Sequence, residues 1–281
     1  MKTKVLILGM GNVGTHLANA LNQAGVESDL QSSRDSLPEL YRYSHIIIAT
    51  KDDAIASVAA RLSEAFESQS LKGAQIITHT SGSIPLSVLT DILPAATPCG
   101  VFYPMQTFSK GVDMRYDDIP FLLEATDLPT LESIKALAAK ISPNIIEADS
   151  KVRADYHIGA VLTCNFANHL CELADDYLTG QNLDFKYLLP LLRQTVAKLS
   201  TTSPAKAQTG PAVRHDQKVI DYHLSRIASA TQRSSDSQTS SYSSSRIASD
   251  THPSSDSQTS STSRLARIYT LLTDSIRKSH P

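Results

Sequence analysis

The chain has 281 residues, 41% of them hydrophobic and 19% charged, so most of it can bury a core and global disorder is excluded. Lys and Arg number 26 against 28 Asp and Glu, a formal net charge of −2, which provides no basic field to draw nucleic acid or anionic lipid. That leaves small-molecule chemistry as the expected class, in one large domain or two modest ones.

Lys4–Leu8 (KVLIL) reads as a first strand that runs into glycines, unlike a leader peptide. No run approaches the roughly 18 apolar residues of a membrane span, so a soluble, cytoplasmic protein with no membrane partner is expected. The string GMGNVG follows at Gly9–Gly14. Its first glycine permits a tight turn, Gly11 lets the backbone approach a pyrophosphate, and Gly14 allows close packing of the helix that runs on to Ala24. The helix N-terminus then faces the phosphates. Strand, glycines and helix in this order point to a dinucleotide site using Gly9, Gly11, Asn12, Val13 and Gly14, whereas a bare glycine turn or a methyltransferase are the rivals.

A weaker strand, Glu27–Gln31, carries the cofactor choice at its end. An acidic residue there would accept hydrogen bonds from a ribose 2′-hydroxyl, whereas a 2′-phosphate needs donors and positive charge. Ser32, Ser33 and Arg34 fit NADP(H). Asp29 is the competing acid if the strand stops two positions earlier. His45–Ala49 (HIIIA) is continuous and apolar like a central parallel strand. Thr50–Asp53 then lies where strand carboxyl ends line a ligand crevice, with Thr50 and Asp53 as cofactor contacts. Asp52 and Asp53 also fit the first turn of a helix at Ala54.

Gln75–Thr78 is the next strand, ending in Thr80–Ser83 (TSGS), whose small residues suit close approach to a nicotinamide, with Ser81 as a contact. His79 fits a packed histidine better than a base. Phe102–Phe108 (FYPMQTF) has the composition of a substrate-pocket wall, with Tyr103, Gln106 and Thr107 as its polar members, although core packing explains its aromatics equally well. Phe121–Glu124 and Asn144–Glu147 read as later strands around a helix over Pro129–Lys140. The spacing predicts a doubly wound α/β domain over residues 1–149.

Residues 150–281 read as all-helical. Val152–Leu178 has apolar residues at three- and four-residue intervals, as one long helix would. Arg153, His157, Val161, Cys164 and Asn168 share a face of it, with Asn165 on its shoulder. In the catalytic reading His157 gives a proton, Asn165 donates a hydrogen bond to the same atom, and Arg153 holds a substrate anion. The competing reading is an interhelical or dimer contact. Further helices are expected over Tyr187–Leu199 and from Pro211 to Leu224. Thr209–Asp216 contains a Gly-Pro turn, Thr209 and Arg214, and Arg214 suits a bidentate clamp on a carboxylate. The active site is expected in a cleft between the two domains.

Cys99, Cys164 and Cys171 have no Cys-x-x-Cys spacing, and the nine histidines form no cluster with them, so neither disulfide framework nor metal site is expected. A tandem duplication occupies residues 225–262: SRIAS recurs at 225 and 245, and SSDSQTSS at 234 and 254. Its serine-rich composition predicts disorder. Removing it would join HL at 223–224 to SRLARIYTLLTDSIRK at 263–278 with helical periodicity, so it reads as an insertion into one helix.

The strings GMGNVGTHLA, ATKDDAI, HTSGS, GVFYPMQTFS, RADYHIGAVLTCNF and AQTGPAVRHD together resemble the Rossmann-like NADP oxidoreductase candidates that carry a C-terminal helical domain of unknown function. Deazaflavin-dependent NADP oxidoreductases, pyrroline-carboxylate reductases and ketopantoate reductases are related. The resemblance implies a C-terminal domain of the 6-phosphogluconate-dehydrogenase type, NADP(H) as cofactor, and a homodimer. It also implies reduction of a C=O or C=N bond in a small, anionic substrate. A non-catalytic NADP-binding sensor is the alternative.

Overall fold

β1 (Lys4–Leu8) shows how this sequence builds a layered sheet. Its side chains alternate between opposite faces: Val5 and Ile7 enter one core, Leu6 and Leu8 the other. A strand buried on both sides must be apolar throughout, hence the unbroken VLIL. The structure is a computed structural model and describes residues 3–69, 75–240 and 257–280. Its sheet has seven strands in the order β2-β1-β3-β4-β5-β6-β7. The others are β2 (Glu27–Gln31), β3 (His45–Ile48), β4 (Ile76–His79), β5 (Cys99–Pro104), β6 (Phe121–Ala125) and β7 (Ile145–Glu147). All neighbours pair in parallel except β5 and β6. This is the doubly wound α/β architecture expected.

Helices α1 (Asn12–Gln23) and α4 (Leu128–Ala138) cover one face, through Leu17, Leu21, Ile134 and Leu137. α2 (Ile55–Ser68) covers the other with Val58, Leu62 and Phe66. A short α3 (Ser87–Thr90) follows β4. The chain leaves β1 in one direction to reach β2 and in the other to reach β3, so the carboxyl ends of β1 and β3 flank a switch point, where open α/β sheets bind ligands.

β5 differs from expectation. No strand is expected from the sequence over Cys99–Pro104, and Phe102–Phe108 reads as a pocket wall or core packing, yet all six residues of Cys99–Pro104 are buried in a central strand. Gly100 and Pro104 mask it in the sequence; Pro104 is the last residue of the strand and lies beyond its pairing with β4, which ends at Val101. A Cβ on Gly100 would lie 2.7 Å from the Glu124 carbonyl oxygen.

The predicted long helix is also divided. α5 (Ser150–Ala160) passes into one π-helical turn, Val161–Asn165, before α6 (Phe166–Thr179). Such turns insert an extra residue per turn and shift the side chains that share a face.

By internal contacts the chain forms two compact units, Met1–Asn165 and Phe166–Pro281. The second contains α6, α7 (Leu189–Leu199), α8 (Pro204–Ala207), α9 (Gln217–Ser240) and α10 (Ser257–Ser279). No helix among the described residues is long and apolar enough to cross a membrane. α9 and α10 run antiparallel: Arg277 donates to Gln217 at 2.8 Å, and the His223 ring meets the Tyr269 hydroxyl at 2.7 Å. The reading of a single helix split by residues 225–262 is therefore corrected to a helical hairpin. The two halves have matching periodicity because both bury one stripe, not because they are continuous. Residues 241–256, where much of the expected disorder falls, lie outside the described residues.

The hairpin changes what a deletion should do. Removing all of 225–262 discards buried Ile227 and Ala230 and places His223 and Tyr269 about eight positions apart on one helix, roughly 12 Å, too far to touch. Replacing only 234–258 by a four-residue Gly-containing turn keeps the packed stripe. The short replacement is expected to hold Tm within a few degrees, while the full deletion lowers it by about 10 °C or more; equal melting curves would refute the hairpin.

Candidate functional site

The glycine motif folds as its residue types require. Gly9 adopts φ +134°, a conformation suited to glycine, and a Cβ there would collide with the Ala49 carbonyl. A Cβ on Gly14 would strike the Gly9 carbonyl, so α1 packs against the turn only as glycine. At Gly11 nothing lies within 4 Å of the point a Cβ would occupy, leaving the backbone open to a ligand. Around this turn is a cavity of ≈ 850 Å³ lined by Gly9, Gly11, Asn12, Val13, Ser32, Ser33, Arg34, Thr50 and Asp53. The sequence therefore picked out residues that the fold brings together. Gly14 supports the turn from below.

Ser81 has another place. Its hydroxyl accepts hydrogen bonds from the Ser83 and Ile84 amides at 3.1 and 3.0 Å, so it builds the loop after β4 instead of lining this cavity. Asp52 accepts from the Ser83 hydroxyl at 2.7 Å and ties that loop to the turn after β3.

The competing acid is also resolved. β2 continues to Gln31, and Asp29 sits within it, 3.0 Å from the Lys4 ammonium and 2.7 Å from the Tyr43 hydroxyl. The Tyr43 hydrogen bond, with Lys4, holds its carboxyl below the usual range. It is committed to the strand, and the end of β2 presents Ser32, Ser33 and Arg34. Lys51, inside the Thr50–Asp53 stretch, lines the same cavity. One feature here was not read from the sequence: Arg61 on α2 donates to the Ser33 and Asp35 carbonyls, pinning the turn that holds Arg34. The Thr50 hydroxyl oxygen is buried without a protein partner, a polar atom at the wall left for a ligand. The residues present thus fit a dinucleotide with a charged ribose substituent.

A second cavity of ≈ 780 Å³ lies at the end of β5 and along α5. Tyr103, Gln106, Thr107, His157 and Asn165 line it, all of them expected site residues, together with Cys164 of the π turn. The Tyr103 hydroxyl and His157 Nδ1 are 3.1 Å apart. Burial pushes the Tyr103 phenol above its ordinary value of 10, so it is a neutral hydroxyl near pH 7. Gly82 explains the close approach: a Cβ there would lie 2.5 Å from His157 Nδ1 and 2.8 Å from Tyr103 Cζ. The TSGS string was expected to admit a ligand; its glycine instead admits the Tyr103–His157 pair. His79 is fully buried with its pKa pushed down to about 4 by burial, a packed neutral histidine.

Arg153 is not on this wall. Its side chain is fully buried, paired with Glu124 of β6, and donates to the Ile84 carbonyl at 2.6 Å. Ser150 joins the same group, donating to Glu124 at 2.8 Å. The expected anion clamp is corrected to an anchor that holds α5 on the sheet. Helical spacing placed Arg153 on the His157 face, but a residue in the first turn of α5 points inward there. Thr209 and Arg214 belong to the helical unit, in the turn before α9, where Asp216 accepts from the Val219 amide at 3.2 Å.

Comparison with known proteins adds the family. A model described as a domain of unknown function, DUF2520, matches residues 119–244. None of the curated proteins compared with the chain matches it. Protein TM1727 from Thermotoga maritima is 18% identical with a TM-score of 0.63, covering 96% of this chain and 99% of its own. A reductive aminase from Aspergillus terreus, solved with NADPH and ethyl levulinate, is 11% identical with a TM-score of 0.58, covering 100% and 97%. Both share the fold. A candidate NADP oxidoreductase from Bacteroides fragilis is 30% identical, with a TM-score of 0.78 over 99% of this chain and 98% of its own. With that identity across nearly the full length of both chains, this protein belongs to the same family as the Bacteroides fragilis candidate NADP oxidoreductase.

Proposed function

We propose that the protein is an NADP(H)-dependent oxidoreductase that reduces a C=O or C=N bond of a small molecule, with residues 1–149 binding the cofactor and residues 150–281 serving substrate binding and dimerisation. The observation that carries the reading is that Gln106 lines both cavities, so the glycine-motif cavity and the one holding the Tyr103–His157 pair meet at a shared wall residue. NADPH, when bound, supplies the hydride. Gly9, Gly11, Asn12 and Val13 hold its pyrophosphate, Ser32, Ser33 and Arg34 its 2′-phosphate, and Thr50 and Asp53 its ribose side. Tyr103 gives a proton to the heteroatom of the reduced bond, and His157 replaces that proton. Asn165 orients the same heteroatom. The homodimer is supported by the apolar side chains of α6 and α7, Phe166, Leu191 and Val196 among them, which are exposed in the single chain.

The test is a cofactor titration coupled to a screen for NADPH oxidation with small carbonyls and imines. NADPH should bind tighter than NADH. Arg34→Ala should weaken NADPH about tenfold or more, the roughly 1.5–3 kcal/mol of one charge-assisted contact, and leave NADH nearly unchanged. Equal curves for the two cofactors in the native protein would overturn the assignment. Binding without turnover across the screen would favour the sensor reading.

A further inference from the structure

The lining of the Tyr103–His157 cavity speaks to what it admits. Among the described residues Asp155 is its one carboxylate, and no Lys or Arg lines it. No hydrogen bond or ion pair among the described residues engages the Asp155 side chain, and Arg153, two positions before it on α5, is paired with Glu124. Tyr103 and Tyr156 add aromatic rings, and Met105, Val152, Ala160 and Val161 make the rest largely apolar. A carboxylate ligand would meet a like charge and no donor cation. An ammonium would meet a counter-ion and no competing cation.

We infer that this cavity takes a substrate with an apolar body and a cationic nitrogen, an imine protonated on binding and the amine formed from it, with Asp155 as the counter-charge. The inference rests on the proposed reductase reading and makes its substrate cationic, where the family resemblance implies an anionic one. The imine nitrogen takes a proton from the Tyr103 hydroxyl, which His157 restores from solvent. NADPH bound by the glycine-motif residues would supply the imine carbon with a hydride, one hydrogen nucleus carrying two electrons. The C=N π pair becomes the nitrogen lone pair, so an amine and NADP⁺ are the products. Asp155 is the counter-charge on the cavity wall for the iminium before the transfer, and for the ammonium formed when the amine then takes a second proton from solvent.

Two probes of matched shape test the charge preference: cyclohexylammonium chloride and sodium cyclohexanecarboxylate, titrated by calorimetry into the native protein and into Asp155→Asn, each with and without NADP⁺. The ammonium should bind at least fivefold tighter than the carboxylate, and Asp155→Asn should remove about threefold or more of that preference, the scale of one partly exposed ion pair. NADP⁺ affinity should not change in the variant. A carboxylate that binds as well as the ammonium, failure of both probes to bind, or an undiminished preference in Asp155→Asn would overturn the inference. Failure of NADP⁺ to bind would instead strike the reductase reading, and the probe titrations without cofactor keep the two apart.

Discussion

Arg153→Met is expected to destabilise the protein by about 3–5 kcal/mol, the cost of leaving one member of a buried ion pair uncompensated. Arg153 is 0% exposed, and Glu124 would retain only the Ser150 hydroxyl as partner. The guanidinium also ties the Ile84 carbonyl to α5, while the Leu86 amide donates to Ser150 at 3.0 Å, so the loop after β4, β6 and the first turn of α5 share one network. The double variant Arg153→Met, Glu124→Leu removes both charges and should recover much of the loss, because a pair replaced by apolar groups of similar volume is close to neutral. Urea unfolding of the two variants checks this. A single variant costing under about 1 kcal/mol would show that the pair is wetter than its burial indicates. A double variant as unstable as the single one would place the cost in the lost Ile84 and Ser150 contacts.

What could be read in advance divides by range. Strand, glycines and helix over residues 4–23 are a local signal, because each glycine answers to a backbone approach within a few residues or across to the next strand. The end of β2 was legible for the same reason: donors at Ser32, Ser33 and Arg34 follow the strand directly. The Tyr103, Gln106 and Thr107 group was found by composition, and His157 and Asn165 by helical spacing, although the π turn between them was invisible. β5 was concealed by Gly100 and Pro104, which argue against a strand unless its pairing is known. Arg61, and the side chains that Gly82 admits, were missed because these contacts join elements far apart in the sequence. Arg153 shows the limit most plainly. Spacing says which residues share a face of α5, but not that the first turn of that face meets Glu124 and the second turn meets open space.

Tyr103→Phe is expected to lower kcat by about 10²–10⁴ on the best substrate from the NADPH-oxidation screen, the usual loss when a general acid is removed. The change deletes one oxygen and keeps the ring, which packs with Val101, Leu122 and Ala148, so folding should be little affected. NADPH affinity should stay within about threefold, because Tyr103 does not line the glycine-motif cavity. His157→Ala should lose a comparable factor, and the double variant little more than either single one, since both act on one proton. The pH profile gives a further check. Burial raises the Tyr103 phenol above 10, so its proton is fully present below that and is lost only as pH rises through the raised value. Its ionisation therefore should leave no falling limb in kcat between pH 7 and 9. Native turnover in Tyr103→Phe would remove the phenol from the chemistry and leave His157 as the sole donor on that wall. Additive losses in the double variant would mean that the two side chains act on different atoms, despite the 3.1 Å that separates them.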